Sequence, residues 1–122
     1  MRVSLIKCLF IVLSVFFTTY SYARYSVDID SLTIELNEVK ADSGKVKILL
    51  QLFWACQRSN PAEAMLYAEQ ALDISKANDF TIDIAESLRS IGIINKRQSD
   101  FKTALSLFEE SKNYYTKMYT RR

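Results

Sequence analysis

From residue 43 onward, apolar and polar positions alternate with the period of an α-helix in one stretch after another. Val46, Leu49, Leu50, Phe53 and Cys56 fall on a single stripe and predict a helix over 43–58. Ser59-Asn60-Pro61 ends it and starts the next. Asn60 is a good N-cap, Pro61 suits the first helical position, and Glu63 can reach back. The third helix carries Ala64, Ala68, Ala71 and Leu72 on one side, with Met65 flanking, and fades over 76–78. Residues 79–82 open a fourth helix that runs to about Arg97 and turns Ile84, Leu88, Ile91 and Ile94 inward. Gly92 sits in its middle, at a cost of about 1 kcal/mol relative to alanine. Close approach of a neighbouring helix would offset that cost. Ser99-Asp100 caps a last helix bearing Phe101, Ala104, Leu105, Phe108, Ser111 and Tyr115. The connections are short, so sequential helices should pack as antiparallel neighbours.

The residues before 43 divide in two. Arg2 and Lys7 precede an apolar run over 8–17, and polar and small residues then lead to Ser21 and Ala23. A basic start, a short apolar core and small residues at the end make up a secretory signal, with cleavage expected after Ala23. The competing reading is an uncleaved membrane anchor, although the apolar core is shorter than the roughly 20 residues a spanning helix needs. Cys8 lies ahead of the apolar core, which argues against a lipoprotein signal. The organisation expected is therefore a signal peptide over 1–23, a leader and short helix over 24–42, and a helical repeat domain over 43–122. Residues 24–30 read as extended. Leu32, Leu36 and Val39 predict the short helix over 31–40, and Asp42-Ser43-Gly44 breaks it.

Composition sharpens the picture. Of 122 residues, two are glycine and one is proline, too few for the tight turns of a β-rich fold. The formal net charge is +2, and the signal segment holds two bases and no acid, so the mature chain would be neutral. Nucleic-acid binding thereby loses its simplest support. The chain has no histidine, which removes imidazole-based catalysis and His-ligated metal sites. Cys56 is left as a lone thiol on an apolar helix face, a place that suits a small core residue. Two glycines cannot make a phosphate-cradling loop. A non-catalytic protein without cofactor or metal is the expectation.

Residues 59–71 parallel residues 99–111: Ala64 matches Ala104, Ala68 matches Phe108, and Ala71 matches Ser111, each pair 40 residues apart. Repetition at this period indicates a helical solenoid. On these residues the chain resembles the tetratricopeptide repeat family. Leu88, Ile91, Gly92, Ala104 and Phe108 occupy that family's large, aliphatic, small, small and aromatic positions. Asp100-Phe101 resembles its turn into the second helix of a repeat, while Ser99 replaces the usual turn glycine, Asn95 a tyrosine and Ser111 an alanine. In the first hairpin Leu52, Ala64 and Ala71 fit. Phe53 and Ala68 invert the small and aromatic positions there, and the turn is one residue shorter.

The resemblance implies an all-α fold, a right-handed α-solenoid of antiparallel helical hairpins with about two repeats plus the short N-terminal helix. It also implies a protein- or peptide-binding scaffold, of the kind found as sensory or adaptor parts of signalling proteins. The family's groove positions carry over to Lys47, Leu50, Trp54, Gln57 and Arg58 in the first repeat, and to Glu86, Arg89, Ile93, Lys96 and Arg97 in the second. Five of these ten are basic and one is acidic, which suits an acidic peptide or a carboxylate. Trp54, the one tryptophan, is a natural anchor, though filling between hairpins is the plainer role for it. Tyr114, Tyr115, Tyr119, Arg121 and Arg122 make a second patch. Without a polar capping helix, the end face is expected to bind another copy, making the chain a self-associating scaffold or a piece of a longer repeat protein. Membrane contact is expected only if the signal segment stays uncleaved.

Overall fold

The computed structural model describes the backbone of residues 2–121 and the side chains of all of these except 16–28. Five helices follow one another: α1 (Arg2–Glu38), α2 (Asp42–Cys56), α3 (Pro61–Ala77), α4 (Thr81–Arg97) and α5 (Phe101–Thr120). Each packs on the next, and α2 also touches α4. That neighbour-only pattern is what a stack of hairpins produces. The all-helical expectation is met, and α2–α3 and α4–α5 are the two expected hairpins.

The start of the chain differs from its expectation. The backbone of residues 24–30 is helical, not extended, and continues into the segment over 31–38 as one helix. The break falls at residues 39–41, and Asp42, Ser43 and Gly44 already belong to the first turn of α2. Gly44 serves there as a contact point, since a Cβ on it would stand 2.7 Å from Val39 Cγ2. Ile29 and Leu36 pack against the core clusters centred on α2, so the C-terminal part of α1 covers one side of the first hairpin. The N-terminal part exposes Leu5, Leu9, Phe10 and Leu13. Among the described residues no helix is long and apolar enough to cross a membrane. The expected cleavage after Ala23 lies outside the residues whose side chains are described.

Burial shows the repeat directly. Val46, Ile48, Leu49, Leu52 and Phe53 are buried in α2, and 39 residues on Ala85, Ser87, Leu88, Ile91 and Gly92 are buried in α4. In α3 and α5 the buried pairs Ala64/Ala104 and Ala71/Ser111 repeat at 40. The extra residue falls between Gly92 and Ala104, where α4 runs two residues past the equivalent end of α2. Both α3 and α4 end in a left-handed residue, Asp79 at φ 57° and Ser99 at φ 65°. Closing bonds run from Phe80 N–H to Ser75 O (3.0 Å) and from Asp100 N–H to Asn95 O (2.9 Å). These are Schellman turns, whose left-handed position usually belongs to glycine. The turn after α2 contains no positive φ.

Capping follows the sequence closely. The Asn60 side chain accepts from Glu63 N–H at 3.3 Å and donates to Glu63 Oε2 at 2.9 Å, with Pro61 next in the chain. Asp100 accepts from Thr103 N–H at 3.2 Å. The inverted residues of the first hairpin also find their explanation. Phe53 and Ala68 share one buried cluster with Cys56, Ala64, Ile91 and Ile94. In the second hairpin, a Cβ on Gly92 would lie 2.7 Å from Phe108 Cε1. One hairpin places its ring on the first helix over a small residue of the second, and the other does the reverse. Each ring lies against a small residue of its partner helix, Phe53 fully buried and Phe108 half-buried. Burial raises the pKa of the Cys56 thiol, helped by the Glu63 charge, as suits a core residue.

Candidate interaction surface

The site assembles on side chains from three helices. Trp54 projects from α2 and remains 43% exposed. Its ring meets Phe53 edge-on, with centroids 5.1 Å apart and planes at 84°, so the buried phenylalanine fixes its base. On α4 the guanidinium of Arg89 lies 5.5 Å from the centre of the Trp54 ring, within cation–π reach. Arg89 also donates to Glu86 Oε2 at 2.9 Å. The other Glu86 oxygen accepts a short hydrogen bond from the Tyr115 hydroxyl on α5. Burial pushes the Tyr115 phenol up to about 12, and its bond to the Glu86 carboxylate adds to this.

The chain Trp54–Arg89–Glu86–Tyr115 therefore links α2, α4 and α5. Its physical effect is to hold an aromatic face and a cation in fixed relation at the surface. Preorganisation of this kind lowers the entropy lost on binding. Arg89 and Glu86 are partly solvated, so their pair itself adds at most about 1 kcal/mol to stability.

The remaining groove candidates separate into three groups. Lys47, Arg58 and Lys96 are exposed and take part in neither ion pair found among the described residues. Leu50 and Ile93 are half-buried, Leu50 against the cluster of Val46, Leu49 and Ala71, and Ile93 against that of Phe53. Gln57 is 7% exposed, too buried for a groove contact. Arg97 donates from Nη1 to the Gln57 backbone carbonyl at 3.0 Å, tying the C-terminal ends of α2 and α4 together. Gln57 and Arg97 are thus structural partners, with the Arg97 charge still exposed at the surface.

Sequence reasoning missed Tyr115 as a member of this surface. It belongs to the second helix of its hairpin, while the carried-over groove positions lie mostly on the first. A second depression of about 310 Å³ opens beside it, between α4 and α5, lined by Arg89, Phe108, Ser111, Lys112, Tyr115 and Tyr119 among others. Ser111 donates to Ala85 O at 2.7 Å across the α4–α5 contact, a buried bond that replaces what an alanine would supply by packing alone.

An all-helical stack with this repeat spacing is what a tetratricopeptide-like protein would show. The chain is 30% identical over 98 residues to tetratricopeptide repeat protein 29 of Trypanosoma brucei brucei (strain 927/4 GUTat10.1). That similarity covers 74% of this chain and 20% of the relative, so the chain spans about a fifth of the protein it matches. No family model matches the chain, and no solved structure matches it.

Proposed function

We propose that this protein is a non-catalytic scaffold that binds an acidic protein or peptide segment on the face shared by α2 and α4. The observation that carries the proposal is the stacked pair of Trp54 and Arg89, braced by Glu86 and Tyr115. Lys47, Arg58 and Lys96 are exposed cations on, or just after, the same two helices. The similarity to a tetratricopeptide repeat protein supports a role in protein interaction. The basic, apolar and small-residue order of residues 1–23 supports export to a periplasmic or extracellular compartment, and a sensory or adaptor role in signalling would suit a binding module there.

Trp54 gives the test its own reporter, since it is the one tryptophan in the chain. Titration with acidic peptides should shift its emission in a saturable, salt-sensitive way. Arg89→Glu should weaken that response about tenfold or more. An equal response to neutral peptides, or none to acidic ones, would overturn the reading. Export has a separate check: the mass of the secreted form should place its first residue at Arg24.

A further inference from the structure

One face of α5 carries a seam that the described residues cover only in part. Phe101, Leu105, Phe108, Lys112, Tyr115 and Tyr119 follow one another at alternating steps of four and three residues. That spacing is the signature of a helix which packs lengthwise against another helix. Phe101, Leu105 and Tyr119 are 64%, 60% and 67% exposed, while Phe108 and Tyr115 are half-buried against α4. The seam runs about 27 Å along the helix, at 1.5 Å per residue. The depression between α4 and α5 lies along its flank.

We propose that α5 pairs with α5 of a second copy, antiparallel, to make a twofold dimer. The surface adjoins the Trp54 face and shares Tyr115 with it, but the dimer proposal does not require peptide binding. Lengthwise packing needs a seam on both partners, and another α5 supplies one of equal length. The outer face of α1 offers Ile34 alone between Asp30 and Glu38. Residues 2–15 of α1 carry the bases Arg2 and Lys7 and no acid to meet Lys112.

The charges select the orientation. An antiparallel pair centred between Phe108 and Lys112 sets Phe101 beside the partner's Tyr119 and Leu105 beside the partner's Tyr115. It also brings Lys112 next to the partner's Glu109 on the flank of the seam. A parallel pair would set Lys112 on the partner's Lys112. Like charges in such positions are repulsive. An isologous contact of this type closes at two copies and does not propagate.

Light scattering and sedimentation on the full chain test the proposal. The chain should be dimeric at about 100 µM, a concentration that detects even a weak interface. Leu105→Glu should weaken the dimer about tenfold or more with unchanged helicity, because Leu105 is already exposed in the single chain. Lys112→Leu should tighten it, since a lone lysine in such a seam costs stability. In a Cys8→Ser background, Leu105→Cys with Tyr115→Cys should crosslink two copies on oxidation. Leu105→Cys alone should not, as those two positions lie about 15 Å apart in the antiparallel register. A monomer at every concentration, or a dimer untouched by Leu105→Glu, would overturn the proposal. So would crosslinking by Leu105→Cys alone.

Discussion

The two hairpins are the same design executed with opposite choices. In α2–α3 the ring is Phe53, wholly buried, and the facing small residue is Ala68. In α4–α5 the ring is Phe108, half-buried, and the facing small residue is Gly92. The first hairpin has neighbours on both sides, α1 and α4, while the second has one. Its last helix accordingly buries only Ala104 and Ser111 among its described residues. Identical topology thus leaves very different amounts of apolar surface out of water. What decides is whether a next helix is present to cover the ring.

The largest test of this contrast is the ring itself. Phe53→Ala should cost about 3–5 kcal/mol of stability, the range for deleting a buried ring. Phe108→Ala should cost about half of that or less, because part of the ring already faces solvent; chemical denaturation of both variants measures the difference. Gly92→Ala comes next. Its new methyl gains about 1 kcal/mol of helix propensity but meets the Phe108 ring, for a net loss of about 1–2 kcal/mol. Combining it with Phe108→Leu should restore part of the loss, and additive losses in the double variant would refute the contact.

A smaller effect concerns the turn that only the second hairpin has. Ser99 holds a left-handed backbone, so Ser99→Gly should raise stability by about 1 kcal/mol. A Ser59→Gly change in the first turn, with no positive φ to relieve, should not. The thermal midpoints of the two variants make the comparison.

Alkaline unfolding distinguishes the hairpins most finely. Tyr67 and Tyr115 both have their phenols pushed up from 10.0 to about 12, by burial first and then by a hydrogen bond to a glutamate. The unfolded chain releases these protons near pH 10 while the folded chain holds them to about 12. Stability from this source is full below pH 10 and falls as pH rises toward 12. Tyr67→Phe and Tyr115→Phe should each flatten that fall in denaturation midpoints. Tyr115→Phe alone should also loosen the contact between helices, since Glu86 lies on α4, whereas Glu63 lies on the same helix as Tyr67.

Local signals in the sequence reported the fold well. Asn60-Pro61-Glu63 and Asp100 announced their helix starts because a cap is decided within four residues. The exchange at Phe53 and Ala68 was visible as a mismatch, but its compensation by Gly92 and Phe108 exists only once the helices are packed. Asp42-Ser43-Gly44 read as a breaker because glycine and turn formers carry that meaning locally. Here the glycine answers a demand from Val39, in the break just after α1. Of the four linked residues of the candidate surface, Trp54, Glu86 and Arg89 stood among the sequence candidates. The burial of Gln57 was not legible, because a helix end carries no periodic mark of which way it turns inward. Tyr115 joined the surface through a bond from α5, and spacing within one helix cannot show that.

The exchanged ring carries a consequence for how such a chain can be recombined. A crossover that joined α2 to α5 would set Phe53 against Phe108, two rings in room for one. The reciprocal product, α4 joined to α3, would set Gly92 against Ala68 and leave a void where a ring belongs. Each hairpin is therefore inherited whole: breakpoints between α3 and α4 keep both rings matched, and breakpoints inside a hairpin lose either way.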